Sequence, residues 1–167
     1  ITSIEGFGMA NIDDSGPVVA RDHCLGEPAT AFRQMTTEES TRANVFTIAL
    51  EALAAELGLE VTGWEQGLRP IVATAPVPSS ALERVIVPGE VIGAVTSSRV
   101  STREGIQLTG EIRLKVFEEG DAETSRWTIR GEPELHLECP KLPGRVATCT
   151  AIINRIPDIL AAEPGLV

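Results

Sequence analysis

Apolar and polar residues alternate without a break over residues 106–116, and this alternation constrains the fold more than any other feature of the chain. The apolar positions are Ile106, Leu108, Gly110, Ile112, Leu114 and Val116. A period of two places successive side chains on opposite faces of a β-strand. The segment is therefore predicted to be a strand with one buried face and one polar face.

The same period of two continues further along the chain, over residues 127–131 and 134–139. Residues 118–123 between these strands contain Gly120 and Asp121, a composition typical of a hairpin connection. Because the connections are short, neighbouring strands are expected to be antiparallel. Further strands are predicted at residues 1–12, 68–74 and 91–100.

Two longer segments have the 3.6-residue spacing of helices. The first covers residues 45–57, with a capping box formed by Thr36 and Glu39 before it and Gly58 as its stop. The second covers residues 146–156 and is ended or kinked by Pro157. Residues 1–167 are thus predicted to form one α+β domain, an antiparallel or mixed open sheet covered on one face by two main helices. Shorter helical segments are predicted at residues 18–24 and 28–34.

The charge balance argues against two classes of partner, and the cysteine spacing argues against a metal site. The net charge of −10 comes from 24 acidic and 14 basic residues. Such a chain repels phosphate backbones and anionic lipids, so neither nucleic acid nor membrane is an expected partner. Cys24, Cys139 and Cys149 are widely spaced and contain no CxxC pair. They predict reduced, buried thiols in a cytoplasmic protein and no metal site.

His23 and His136 are the only histidines, so a side chain that ordinarily titrates near neutral pH must be one of them. His136 occupies a polar position of its strand, where it is either solvated or a candidate substrate-binding residue. His23 is interpreted as structural. Asp13 and Asp14 precede a Ser-Gly-Pro sequence, and a turn with a cap is favoured over a carboxylate pair that binds metal or carries protons.

Polar residues interrupt the second apolar helix. Thr150 and Asn154 are four residues apart and therefore share a helix face, and Thr148 lies six residues before Asn154. A buried Asn needs partners for both its donor and its acceptor atoms. These residues bind either the backbone of a neighbouring loop or a polar group of a substrate, so Thr148 and Asn154 are candidate substrate-binding residues.

The last third of the chain resembles a known family. The sequence GRVAT at residues 144–148, INRIP at 153–157 and AAEPGL at 161–166 is similar to the closing segment of the 2,4-diaminopentanoate dehydrogenase family, which is related to the dihydrodipicolinate reductases and includes amine dehydrogenases. Weaker similarities occur in the same order along the chain. They are LAAELGLEV at 53–61, RPIVA at 69–73, VPGEVIG at 87–93 and IRGEP at 129–133.

The resemblance implies a two-domain oxidoreductase that interconverts an amine, amino acid or imine with its carbonyl or amine counterpart by hydride transfer. It implies that NAD or NADP is bound by a Rossmann domain outside this chain, and that this domain contacts substrate and builds a homodimer. Residues 6–11, GFGMAN, have only the first two glycines of a dinucleotide loop and no following helix. We therefore expect the nucleotide domain to be encoded before Ile1.

Two other functions remain open at this point. A curved sheet that grips a long helix can enclose a small ligand without catalysis, as in a stand-alone carrier domain. Alternatively, the exposed sheet face pairs with its own copy and the chain is purely a homodimerisation module.

Overall fold

The structure is a computed structural model that describes residues 1–36, 43–140 and 144–163. The strands are β1 Ser3–Asn11, β2 Val61–Val72, β3 Val77–Ser79, β4 Arg84–Ile86, β5 Val91–Thr102, β6 Gln107–Lys115, β7 Thr124–Arg130 and β8 Leu135–Pro140. The helices are α1 Gly16–Asp22, α2 Ala29–Thr36, α3 Val45–Glu56, α4 Gly144–Asn154 and α5 Ile156–Ala161. The predicted α+β fold class is confirmed, and Pro157 lies in the first turn of α5.

Six strands form one mixed sheet in the order β2-β5-β6-β1-β7-β8, and β3 and β4 form a separate pair. Strand β1 runs parallel to β6, with Ser3 opposite Gln107, and antiparallel to β7. The prediction of a hairpin at residues 118–123 is wrong, because β1 lies between the two strands that this segment connects. Strand β1, at the start of the sequence, inserts between β6 and β7 although about a hundred residues separate it from both.

The register of the six strands divides their side chains into two faces of opposite character. All of the acidic side chains, lysines and arginines that these strands carry lie on one face, which we call the charged face. They are Glu5, Glu65, Arg69, Arg99, Glu111, Arg113, Lys115, Arg126, Arg130 and Glu138. The other face, which we call the apolar face, has none from the strands.

Helix α3 packs on the apolar face. Leu50 and Ala54 are buried there against Ile4, Val100 and Leu108. Burial of such side chains contributes roughly 1.5–3 kcal/mol each for the larger ones. This contact explains why the strand pattern of residues 107–115 is so regular: one face of that strand is covered by a helix.

The start of α3 differs from the predicted one. Asn44 is its cap, and its Oδ1 accepts hydrogen bonds from the backbone N–H groups of Phe46 at 3.0 Å and Thr47 at 2.8 Å. The buried Thr47 hydroxyl also lies 2.8 Å from the Ser98 hydroxyl of β5, which ties the helix to the sheet. The predicted capping box extends to Glu39, which lies outside the described residues.

A second core lies under the β3–β4 pair, where Ile12, Ile86 and Ile92 are buried. Asp13 begins a 3-10 turn directly after Ile12, as the predicted turn requires. Its carboxylate accepts hydrogen bonds from the Ser79 hydroxyl and from the Ser80 hydroxyl and backbone N–H. The hydrogen bonds of Asp13 therefore connect the β3–β4 pair to the segment that follows β1.

Helices α4 and α5 are exposed over their described side chains, apart from the half-buried Ala147. Of the two main helices, α3 is thus the one whose apolar residues are buried by the sheet. Among the described residues, no helix combines the length and the apolar character that a membrane crossing requires.

Candidate functional site

A groove of about 790 Å³ crosses the charged face over the middle of all six strands. Its lining combines hydroxyls, carboxylates and guanidinium groups, and it includes Phe7, Thr128 and His136. Glycine and small residues keep the floor low, as at Gly67 in β2 and Ser97 in β5. The groove can therefore accept a polar ligand or the side chains of another protein surface.

His136 projects from the edge strand β8 into this groove and is held on both ring nitrogens. Its Nε2 lies 2.8 Å from Oε1 of Glu134, and its Nδ1 lies 3.3 Å from the Thr128 hydroxyl. A carboxylate at Nε2 favours the tautomer with the proton on that nitrogen, so Nδ1 is the acceptor. The imidazole is about 66% exposed, and a ligand in the groove can therefore reach it.

The hydrogen-bonded chain continues from Glu134 to the centre of the sheet. Arg130 lies 3.4 Å from Glu134, and its Nε donates to Glu5 of β1 at 3.0 Å. This hydrogen bond, with the positive charge behind it, lowers the pKa of Glu5 although slight desolvation opposes the shift. This series of hydrogen bonds fixes the orientation of the Glu134 carboxylate, and Glu134 in turn orients the His136 ring.

Two guanidinium groups converge on one aromatic ring in the same groove. Arg126 lies 4.9 Å and Arg113 lies 5.4 Å from the centroid of the Phe7 ring. Arg113 is also bound to Glu111, with Nε 2.8 Å from the carboxylate. Cation–π contacts of this kind are worth about 0.5–1 kcal/mol at exposed positions.

The other two predicted site residues lie on α4. The Thr148 hydroxyl donates to the Gly144 carbonyl of its own helix at 2.9 Å, and Asn154 is the exposed last residue of that helix. Neither residue lines the groove that contains His136. Within the described part of the chain, the three predicted residues are therefore not brought together.

Large aliphatic side chains of α4 and α5 are exposed beside Thr148 and Asn154. Their exposed fractions range from 50% to 81%. We call this set the α4–α5 apolar surface; it consists of Val146, Ile152, Ile153, Ile156, Ile159 and Leu160. So many exposed aliphatic residues on two short helices are typical of a surface that is covered by another domain or chain.

The remaining candidates from the sequence do not line this groove. His23 Nδ1 lies 3.0 Å from the Val19 carbonyl, within its own helical turn. Cys24 is buried, and desolvation raises its pKa, whereas Cys139 and Cys149 are exposed thiols. The expectation of buried thiols is thus wrong for two of them. No group of three potential metal ligands occurs among residues 1–36, 43–140 and 144–163.

The glycine-containing segment at residues 6–11 belongs to strand β1 and serves packing. The Trp127 ring lies directly over Gly6, where an added Cβ would be 2.8 Å from it. At Gly8 an added Cβ would lie 3.4 Å from Ile112, which is ordinary van der Waals contact. Gly6 thus makes room for a side chain of the neighbouring strand β7. Because residues 6–11 lie within a strand and not in a loop that opens a helix, this segment is not a dinucleotide-binding loop.

Comparison with known proteins identifies the family of the chain. Residues 1–167 match the family model described as the 2,4-diaminopentanoate dehydrogenase C-terminal domain. The chain belongs to this family. This C-terminal domain is also similar to a solved structure, an amine dehydrogenase from Mycobacterium smegmatis, with a TM-score of 0.88 and 35% sequence identity. The similarity covers 100% of this chain and 49% of that one, so the domain spans about half the length of its relative. No curated protein matches it.

Sequence reasoning missed the partners of His136 within this C-terminal domain. Glu134 is two residues before His136 and directly precedes β8, and this spacing was a usable signal. Thr128 is opposite His136 across β7 and β8, which only the strand register reveals. The similarity therefore confirms the family, while the roles of Thr148, Asn154 and His136 stay predictions.

Proposed function

We propose that this chain is the substrate-side, dimer-forming domain of an NAD(P)-dependent oxidoreductase. In the oxidative direction a primary amine in its protonated form, water and the oxidised nucleotide give a ketone, ammonium, the reduced nucleotide and a proton. The reverse direction reduces an imine. Family membership and the likeness to an amine dehydrogenase support this class of reaction.

The observation that carries the proposal is the α4–α5 apolar surface. In the proposed protein, a Rossmann domain of the same polypeptide packs against this surface and holds NAD or NADP. Complete burial of a large aliphatic side chain contributes roughly 1.5–3 kcal/mol. Because these side chains are at least half exposed in the domain alone, each still has on the order of 1–2 kcal/mol to gain. Six of them are enough to hold two domains together.

Thr148 and Asn154 lie on the helix that carries this surface. Docking of the nucleotide domain would bring both side chains to the boundary between the two domains, where substrate must lie to meet the cofactor. The Asn154 amide offers a donor and an acceptor, and Thr148 offers a hydroxyl whose lone pairs are available. We assign both to binding a polar group of the amine, amino acid or imine substrate. His136 is a third substrate-binding candidate, from the groove.

This assignment is tested in the complete polypeptide with Thr148→Val and Asn154→Ala. Loss of a substrate hydrogen bond of about 1.4 kcal/mol lowers kcat/KM about tenfold. The melting temperature should stay near that of the parent protein, since both side chains are exposed in the domain. Thr62→Val is the matched control, because Thr62 is also an exposed threonine whose hydroxyl donates to a backbone carbonyl.

A tenfold loss with unchanged folding in both variants, and none in the control, supports the assignment. A sharp fall in melting temperature with full turnover by the folded fraction would instead show that Asn154 is a scaffold residue. The expected compartment is the cytoplasm, where free thiols such as Cys139 and Cys149 persist in reduced form.

A further inference from the structure

A second pocket, of about 780 Å³, lies where α1, α2 and the turn between β3 and β4 meet. Its volume is within the range of roughly 300–1,000 Å³ that is usual for small-molecule sites. It shares no lining residue with the groove of the charged face. We call it the α1–α2 pocket; its lining includes Arg21, Cys24, Leu25, Glu27, Ala31 and Leu82.

The floor of the α1–α2 pocket is apolar and is held in place by backbone hydrogen bonds. Cys24 and Leu25 are both 4% exposed. The residues that follow them are tied to the start of β5, since the Gly26 N–H donates to the Val91 carbonyl and the Val91 N–H donates to the Glu27 carbonyl, each at 2.8 Å. A ligand therefore meets an apolar surface that is already formed before it binds.

Two side chains of opposite charge line this pocket, and neither is in an ion pair within the described part of the chain. Arg21 belongs to the last turn of α1, and Glu27 lies in the connection to α2. Two successive turns join them, because the Cys24 N–H donates to the Arg21 carbonyl at 2.9 Å and the Glu27 N–H donates to the Cys24 carbonyl at 3.1 Å. Burial raises the pKa of the Cys24 thiol and the charge of Glu27 raises it further, so the carboxylate lies close to the floor.

We propose that the α1–α2 pocket binds a small zwitterion with an apolar side chain, such as an aliphatic amino acid. The planar guanidinium group of Arg21 donates two hydrogen bonds to the carboxylate of the ligand. Glu27 accepts hydrogen bonds from its ammonium group, and the aliphatic side chain lies against Leu25 and Leu82. This site adds a ligand to the proposed function and does not depend on it, because binding requires neither nucleotide nor turnover.

The charges favour a zwitterion over a ligand with a single charged group. The chain has a net charge of −10, so an anion without a compensating ammonium group is repelled. A simple amine, in contrast, offers no partner to the Arg21 guanidinium group. A ligand with both groups uses both side chains and brings no net charge.

The test is a calorimetric titration of the complete polypeptide with L-leucine in the absence of nucleotide. Two further probes each lack one charged group of leucine: 4-methylpentanoate has no ammonium group, and 3-methylbutylamine has no carboxylate. Arg21→Gln should raise the Kd for leucine about tenfold or more and leave the Kd for 3-methylbutylamine unchanged. Glu27→Gln should raise the Kd for leucine by a similar factor and leave the Kd for 4-methylpentanoate unchanged.

Matched variants separate loss of the site from loss of folding. Ala31→Trp places a large ring in the α1–α2 pocket and should abolish leucine binding, whereas Thr30→Trp, at the exposed neighbouring position outside the lining, should not. The controls for charge are Arg103→Gln and Glu56→Gln, at exposed positions that do not line the pocket. Both should keep the parent Kd for leucine.

A parent protein that does not bind leucine at millimolar concentrations overturns the proposal. So does a Kd for leucine that neither charge variant nor Ala31→Trp changes, because leucine then binds elsewhere. The proposed function is judged separately, by amine-dependent reduction of the nucleotide. If that activity is present while leucine does not bind, the α1–α2 pocket fails as a ligand site and the oxidoreductase assignment stands.

Discussion

The carboxylate of Asp13 joins three consecutive residues of another segment to the end of β1, and replacing it should loosen the β3–β4 pair. One oxygen accepts from the Ser79 hydroxyl and from the Ala81 N–H at 3.2 Å. The other accepts from the Ser80 hydroxyl and from the Ser80 N–H at 2.7 Å. Asp13→Ala removes both acceptor oxygens and with them all four hydrogen bonds, and it leaves the buried Ser79 hydroxyl without this partner.

The expected cost follows from these four hydrogen bonds. A hydrogen bond to a charged group contributes about 1.5–3 kcal/mol, but bonds that share one carboxylate are not additive, and water replaces those that are partly exposed. We therefore expect Asp13→Ala to lower the free energy of unfolding by about 2–4 kcal/mol. For a domain of this size the melting temperature should fall by roughly 5–15 °C.

The effect should depend on pH with a defined sign. Desolvation raises the pKa of Asp13, but the hydrogen bonds from Ser79, Ser80 and Ala81 outweigh it and lower the pKa below its ordinary value of 3.8. A depressed pKa contributes stability that is present above the unfolded value and is lost as the pH falls through the folded value. The difference between the parent protein and Asp13→Ala should thus be full at about pH 7 and should shrink below about pH 4.

The assay is thermal unfolding followed by circular dichroism at both ends of that pH range. Asp13→Asn keeps the shape but not the charge and should lie between the parent protein and Asp13→Ala. Asp22→Ala, at an exposed position of α1, is the control and should change little. The reasoning is refuted if Asp13→Ala melts within about 1 °C of the parent protein at neutral pH.

Two further predictions concern the sheet. Gly110→Ala should destabilise the domain by about 3 kcal/mol in denaturant titrations, because the added Cβ overlaps the Phe46 ring, whereas Gly63→Ala has open space and should be tolerated. Lys115→Met should cost about 2 kcal/mol by leaving two carboxylates without their buried ammonium partner. Burial lowers the pKa of Lys115, but the carboxylates of Asp121 and Glu118 outweigh burial, so the net pKa lies above its ordinary value of 10.5. The stabilisation should therefore persist below pH 10.5 and disappear as the pH rises through the folded pKa. If Lys115→Met loses stability at alkaline pH as much as the parent protein does, this prediction is wrong.

The local elements of the fold are largely predictable from the sequence. The alternation over residues 107–115 predicts β6 because α3 buries one side of that strand and the charged face keeps the other polar. Helix α3 follows from apolar spacing, although its cap is Asn44 rather than Thr36. What fails is the prediction of neighbours: β1 pairs with β6 across about a hundred residues, and no local signal marks that pairing.

The candidate site is less predictable for a related reason. Thr148 and Asn154 are recognisable as polar residues within an apolar helix, but the sequence does not say whether that helix is buried by its own sheet or by another domain. The likeness of the domain to half of an amine dehydrogenase favours the second alternative. Similarly, the partners of His136 depend on the register of β7 and β8, which short connections alone do not fix.

The most direct test of the central claim is the reduction of NAD and NADP by the complete polypeptide in the presence of primary amines. If this chain is the substrate-side domain of an amine oxidoreductase, the reduced nucleotide should accumulate only when an amine is present, together with an equal amount of ammonium. A complete polypeptide that binds no nicotinamide nucleotide, or that reduces none with any amine or amino acid supplied, would contradict the account.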